Sequence, residues 1–334
     1  MWDMLFNYGL FLLKVLTVLG AILVVLVVMM KSKLSQRDPI SFTYLNEDYA
    51  ALKLQVLEQF AKTGALHAKN AIKSEKKAAK ATLKAAKDSI QAKPKLFVLN
   101  FKGDMHAGGV KSFRDEITAV LMVAQVEDEV VVKLDSPGGS VIDYGLAAAQ
   151  MARIRDAGLK LTVCVDRVAA SGGYMMACVA HRICAAPFAF IGSIGVVSHM
   201  PNFHNFLKNL GVDVIELTAG KLKRPLSPIG EVTPQGKEHV CSQIGAIHTQ
   251  FKSMVAHYRP DLDIEAVATG DYWTAARAQE LGMVDALLTS DHYVTEALAL
   301  KDVYQVTTQV KPDLKTMLLG KVELFLERCG YEYR

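Results

Sequence analysis

Three short segments rich in glycine and serine carry most of the chemistry this sequence can offer. They read Asp135-Ser136-Pro137-Gly138-Gly139-Ser140, Ala169-Ala170-Ser171-Gly172-Gly173-Tyr174 and Ile191-Gly192-Ser193-Ile194-Gly195. Adjacent glycines let backbone N–H groups face a cleft with no side chain in the way, and converging N–H groups stabilise the oxyanion of an acyl-transfer reaction. Ser171 is the candidate nucleophile. The structural alternative is a serine that merely caps a helix, a position serine favours. Residues 135–140 read equally as an ordinary strand-to-helix turn. The third segment is either a plain turn or a hydroxyl that orients a base.

A serine hydroxyl needs a base to become a nucleophile. His181, His199 and His204 lie within reach in sequence but carry no local signature. The segment Leu217-Thr218-Ala219-Gly220-Lys221-Leu222-Lys223-Arg224-Pro225 offers two lysines instead. An amine sheltered from water is disfavoured as an ammonium and can then accept a proton. The residues by themselves leave Lys221, Lys223 and His199 open, and a surface charge is the commoner fate of a lysine. The five cysteines form no C-x-x-C pair and are odd in number, which argues against a disulfide framework or a zinc cluster. Cys164, Cys178 and Cys184 sit in apolar runs and read as small buried hydrophobes.

The elements that must hold these residues follow from the patterning of the 334 residues. Hydrophobic content of 51% and charged content of 22% suit a large folded core. Residues 10–30 form an apolar run interrupted only by Lys14, long enough to cross the ~30 Å of a bilayer core as a helix. It ends in Met-Met-Lys-Ser-Lys without a small-residue cleavage site, which suits an uncleaved anchor. Lys31, Lys33 and Arg37 follow it, whereas only Asp3 precedes it, a charge pattern that by itself favours a cytoplasmic main body. Residues 31–94 have the composition of a basic helical linker. In it Lys69, Lys73, Lys76, Lys80, Lys84 and Lys87 share one helix face, which reads as a solvated surface or a stripe for anionic headgroups. Without interleaved aromatics it does not read as a nucleic-acid site.

After Pro94 strands and helices alternate. Strands are expected at 96–101, 129–134, 161–165, 182–185 and 214–217, with helices at 110–125, 141–157, 233–258, 274–281, 294–300 and 311–334. A β-α-β-α-β order implies α/β architecture with a parallel sheet and right-handed crossovers. Each Gly/Ser segment then falls at the carboxyl end of a strand, where such sheets bind ligands. The apolar stretch 168–197 is broken by His181, Arg182 and several glycines and reads as buried core, not a second span.

With these motifs in hand, the chain resembles the SohB-type branch of the signal peptide peptidase A family, membrane-bound bacterial serine proteases of the ClpP/crotonase fold. The resemblance rests on LDSPGGSV (134–141), ASGGYMMA (170–177), IGSIGV (191–196) and LTAGKLKRPLSP (217–228), with DYWTAARAQELGMVD (271–285) as a late segment. It implies a division into a membrane anchor at 1–30, a basic helical region at 31–94, a ClpP/crotonase-like peptidase domain at 95–305 and a helical tail at 306–334. It further implies Ser171 as nucleophile, Lys223 as general base, Ser193 as the hydroxyl that orients the lysine, and the N–H groups of Gly139 and Gly172 as the oxyanion hole, with Gly138 shaping the loop. No metal, nucleotide or other cofactor is implied. Signal-peptide remnants or other membrane-near peptides are the implied substrates, and a homo-oligomeric ring or dome the implied assembly. The resemblance places the catalytic domain in the periplasm, against the flanking charges, and a long domain translocates largely regardless of such charges. A crotonase-type acyl-CoA enzyme and a non-catalytic membrane scaffold are the competing readings.

Overall fold

A computed structural model describes residues 2–33, 38–62, 70–77, 93–220 and 222–309. The chain divides into two units, residues 1–39 with 309–334, and residues 40–308. In the first, helix α1 (Trp2–Lys33) contains the window Phe6–Leu23, with mean hydropathy 1.8, long and apolar enough to cross a membrane.

The second unit runs β1 (Ile40–Tyr44), α2 (Leu45–Lys62), α3 (70–77), β2 (Lys95–Lys102), α4 (Val110–Val123), β3 (Glu129–Asp135), α5 (Val141–Asp156), β4 (Lys160–Val165), β5 (Val168–Ala170), α6 (Gly172–Ala177), β6 (Arg182–Ala185) and β7 (Phe190–Gly192). It continues through α7 (His204–Asn209), α8 (Pro234–Tyr258), α9 (Ile264–Val267), β8 (Tyr272–Thr274), α10 (Ala275–Glu280), β9 (Ala286–Leu287), α11 (Ser290–Leu300) and β10 (Asp302–Thr308). Seven strands form one sheet in the order β1-β10-β2-β3-β4-β6-β9, parallel throughout except where β1 meets β10. Strands β5, β7 and β8 form a second, smaller sheet.

The parallel strands read as continuous apolar runs because both faces are covered. Helix α4 turns Val110, Phe113, Ile117 and Val120 to one face, and α5 adds Tyr144, Ala147, Met151 and Ile154. Helix α6, GGYMMA, is wholly buried. On the other face Leu96, Val98, Val131 and Val303 pack with Val294 of α11. The stretch 168–197 is thus core in its first two thirds, as the sequence suggested.

Three expectations change. The segment 31–94 is not wholly a linker: β1 pairs antiparallel with β10 and closes one sheet edge, so the compact unit begins near residue 40 instead of 95. Within it Lys53 pairs with Glu75 and Lys76 with Glu58, joining α3 to α2. Residues 214–217 do not form a strand: Ile215 and Leu217 are 83% and 90% exposed, and among the described residues no sheet edge reaches them. Residues 306–308 belong to β10 and not to a tail. Lys69, Lys80, Lys84 and Lys87, the tail from 311 and Cys329 lie outside the described residues; Cys164, Cys178 and Cys184 are buried as expected.

A buried carboxylate locks α11 to the sheet. Glu129 on β3 is 2% exposed and accepts hydrogen bonds from Thr162 on β4, from Tyr293 on α11 and from Lys301 after it. Burial alone would raise its pKa, but the bonds from Lys301, Tyr293 and Thr162 outweigh that and hold it below the usual glutamate range. A depressed folded-state pKa gives stability that is present above the unfolded pKa and lost as pH falls. Glu129→Gln should therefore cost about 1–3 kcal/mol at neutral pH. The deficit should shrink as pH falls from the ordinary glutamate pKa of about 4.3 through the lower folded-state value, where wild type loses the charge too. Thermal unfolding of the full-length chain at both pH values checks this.

Candidate active site

Strands β2, β3 and β5 end on the same side of the molecule, and the segments leaving them pack together. Ser136, just past β3, donates its N–H to Val168 O (2.8 Å) and accepts from Ala170 N–H (3.1 Å), so the glycine segment lies along β5. Gly138 follows with φ +88°, in the region glycine adopts freely. A Cβ there would come within 2.7 Å of Ala170 O and 2.8 Å of Ser171 Cβ, so only glycine lets the two turns approach this closely. Gly139 is held from the other side, since a Cβ on it would strike Met105 O at 2.2 Å.

Ser171 sits where β5 turns into α6, with φ +52° and ψ −118°. Those angles are the first central position of a type II′ turn, which glycine normally fills. A non-glycine residue there costs about 1–3 kcal/mol and persists only where its surroundings enforce it. Here Ser171 N–H donates to Gly192 O (2.7 Å), its carbonyl accepts from Met175 N–H (2.9 Å), and the Gly138 turn lies so close that a Cβ on Gly138 would meet the Ser171 Cβ at 2.8 Å. The geometry is that of a strand-to-helix elbow, which presents a serine hydroxyl outward. Ser171 occupies the N-cap position of α6, yet its side chain makes no capping bond. The capping explanation therefore does not account for it, and the hydroxyl is left for other use. Gly172 opens α6, and the N–H of a first helical residue has no intrahelical acceptor.

The third segment is brought beside the second, because β7 is hydrogen-bonded to β5. Ser193 has φ +52° and donates its N–H to Asp271 O (2.6 Å), while β8 pairs with β7 and stacks Trp273 against Gly192. That gives the late DYWT segment a role: it holds the Ser193 turn. His248 of α8 contacts Ile194 O at 3.2 Å from the other side.

The base candidates are not assembled in the same way. Lys223 lies in the excursion spanning 195–233, is exposed, and among the described residues its amine makes no hydrogen bond to Ser171 or Ser193. Only its backbone is fixed, by donation to Gly220 O (3.1 Å). Lys221 lies outside the described residues. His181 is committed elsewhere, its Nδ1 accepting from Leu161 N–H (3.1 Å), and burial pushes its pKa down. His199 is exposed and His204 half-buried, neither bonded to Ser171. The excursion is tied at its base, where Phe203 N–H donates to Pro228 O (2.7 Å) and Asn202 donates to Ser227 O and Gly230 O, both at 2.9 Å.

A fourth strand-end segment, Gly103-Asp104-Met105-His106-Ala107-Gly108-Gly109 after β2, also belongs to the site. Its signal was present, glycines at a strand end like the other three. Met105 O accepts from Ser140 N–H (2.8 Å). The Asp104 carboxylate accepts from Gly108 N–H (2.9 Å) and His106 N–H (3.0 Å), which hold its pKa below the usual aspartate range. Beside these turns opens a cleft of about 690 Å³, lined among others by Gly103, Pro137, Val168, Phe188 and Phe190.

Comparison with known proteins gives the chain's family and relatives. The sequence matches Peptidase family S49 N-terminal over residues 3–151 and Peptidase family S49 over residues 153–304. It is 43% identical over 326 residues to the probable protease SohB of Haemophilus influenzae, covering 93% of this chain and 91% of that one. It is 42% identical over 303 residues to the probable protease SohB of Buchnera aphidicola subsp. Schizaphis graminum, covering 90% and 88%. A solved structure of a serine-to-alanine mutant of the 1510-N membrane-bound stomatin-specific protease aligns over 67% of this chain and all of that one, with TM-score 0.44 and 15% identity.

The close approach around Ser171 is testable by adding single methyl groups. Gly172→Ala places a Cβ 2.4 Å from Tyr144 Cγ, so it should cost about 1–3 kcal/mol of stability and abolish labelling of the chain by a fluorophosphonate. Gly145→Ala, with nothing within 4 Å of the new methyl, should instead stabilise helix α5 by about 0.5–1 kcal/mol and leave labelling intact. Thermal unfolding and probe labelling of the two variants check both.

Proposed function

The chain belongs to peptidase family S49, and from that premise we propose that it is a membrane-anchored serine endopeptidase using Ser171 as nucleophile and Lys223 as general base. The observation that carries the reading is the strained elbow at Ser171: a hydroxyl with no capping role, enforced against the Gly138–Gly139 turn and next to the Gly172 N–H.

Ser171 Oγ attacks the carbonyl carbon of the scissile bond while its proton passes to the Lys223 amine. The carbonyl oxygen becomes an oxyanion and accepts from the N–H groups of Gly139 and Gly172. The intermediate collapses, the C–N bond breaks, and the amine departs with the proton held by Lys223. Water then gives a proton to Lys223 and attacks the acyl-serine; the bond from the acyl carbon to Ser171 Oγ breaks, Lys223 returns the proton to Oγ, and the new carboxyl terminus is released. Ser193 orients the lysine.

An ammonium in open water holds its proton at neutral pH, so this mechanism requires that water be excluded from around Lys223. Covering the excursion would do that. Val197, Phe203, Phe206, Leu210, Ile215 and Leu217 are all exposed on it, an apolar density out of keeping with a free surface. We infer that copies of the chain assemble through this excursion and that Lys223 meets Ser171 in the assembly. With α1 as the anchor in an inner membrane and the catalytic unit on the periplasmic side, the substrates are peptides near the membrane, signal-peptide remnants among them. The cleft beside Pro137 and Val168 suits an extended chain.

Ser171→Ala and Lys223→Ala, each in the full-length chain in detergent, should lower kcat for a fluorogenic peptide by about 10³-fold or more. A fluorophosphonate should label wild type and not Ser171→Ala. Full activity in either variant would remove that residue from the mechanism.

A further inference from the structure

Behind the candidate oxyanion site lies a fully buried residue that the mechanism above does not use. Tyr144, in the first turn of α5, is 0% exposed. Its hydroxyl donates to Asp104 O (2.8 Å) and lies 2.6 Å from Ser136 Oγ, which in turn accepts from Gly138 N–H (3.1 Å). Its ring lies against Gly172, close enough that a Cβ there would meet the ring at 2.4 Å. Gly103 makes room for the cluster, since a Cβ on it would fall 2.2 Å from Ser136 Oγ and 2.3 Å from the Tyr144 hydroxyl.

The direction of this chain follows from counting protons. A carbonyl oxygen only accepts, so the single phenolic proton of Tyr144 goes to Asp104 O. The proton between Ser136 and Tyr144 must then come from Ser136, which leaves the Ser136 oxygen free to accept from Gly138. The result runs one way: Gly138 N–H to Ser136 Oγ–H to Tyr144 O–H to Asp104 O. Burial pushes the Tyr144 phenol above its ordinary pKa, so the proton stays in place at neutral pH.

This chain has a consequence for two adjacent amides. Gly138 N–H is committed to Ser136 Oγ. Gly139 N–H is then the amide left over, and among the described residues it has no hydrogen-bond partner. Glycine pairs flip easily because neither residue has a Cβ to resist rotation, so the choice between the two amides needs an external constraint.

We propose that Tyr144 is a positioning residue that acts through Ser136 to select Gly139, and not Gly138, as the amide facing the oxyanion, while its ring sets the height of Gly172. The inference deepens the serine-peptidase reading and rests on it. A purely structural tyrosine would stabilise the fold without distinguishing ground state from transition state. A positioning tyrosine acts on the oxyanion alone, so its loss appears in kcat and not in KM.

The test uses Tyr144→Phe, Ser136→Ala and the double variant in the full-length chain in detergent, with rates normalised to the sites that a fluorophosphonate labels at completion. Each single variant should lower kcat by about 10- to 100-fold with KM changed less than about twofold. Inhibition by a peptidyl aldehyde, whose hemiacetal oxygen occupies the oxyanion position, should weaken by the same factor as kcat. The double variant should be no worse than the poorer single by more than about twofold, because the two hydroxyls act in series. Ser136→Ala removes only one oxygen and keeps the test open should Tyr144→Phe fold poorly. An unchanged kcat in Ser136→Ala, losses that multiply in the double variant, or losses confined to KM would overturn the positioning role. Hydrolysis surviving in Ser171→Ala would overturn the parent reading instead.

Discussion

Where the turn after β3 meets the turn after β5, the backbones lie too close for any side chain, and the rest of the site is arranged around that contact. Gly138 faces Ala170 and Ser171, Gly173 faces Ser136, and Gly172 faces the ring of Tyr144, each at a separation that a single Cβ would violate. Such contacts are short-ranged and steep, so they fix position far more sharply than hydrogen bonds alone. They also explain why a serine tolerates φ +52°. The strain at one residue is small against the burial of α6 and its neighbours, and there is no room for the turn to relax.

The parallel sheet is what makes this contact available. Parallel neighbours start and stop at the same edge, so β2, β3 and β4 deliver their outgoing segments to one side. The smaller sheet repeats the device, with β5 and β7 parallel and delivering Ser171 and Ser193 side by side. Two glycine-rich turns and two strained serines thus converge without any long-range side-chain pairing. The helices add support from behind: α5 supplies Tyr144, and α8 reaches Ile194 through His248.

Much of this was legible in the sequence, because the signals were local. Continuous apolar runs such as EVVVKL mark doubly covered strands, and proline-glycine-glycine or serine-glycine-glycine after them marks the site loops. What was not legible depended on partners remote in sequence. The strand β1, ISFTY, shows only weak alternation, and its partner β10 lies more than 250 residues away. Residues 214–217 carry a strand-like apolar pattern, but strand structure needs an edge to pair with, and propensity alone does not supply one. Tyr144 looks in sequence like any apolar-face residue of an amphipathic helix. Its role depends on two neighbours, Ser136 and Asp104, that the pattern does not single out. The loop 103–109 carries the same glycine signal as the others but no hydroxyl or amine that would mark it as chemical.

The proposed nucleophile and base differ in how they are held, and the difference bears on control. Ser171 is set between strands of the small sheet and a wholly buried helix. Lys223 is on an exposed excursion fastened chiefly at its base by Asn202, Phe203 and Ser227. On the proposed reading, a single chain therefore has a finished oxyanion site and elbow but no dry base. An exposed amine stays protonated at neutral pH and is no acceptor for a serine proton. Burying the apolar face of the excursion supplies both the free energy to order it and the water exclusion that the lysine requires. Activity would then be tied to assembly by the same surface, which confines hydrolysis to chains already brought together. With α1 as the proposed anchor, that confinement would be to the plane of the membrane, where two-dimensional concentration favours encounter.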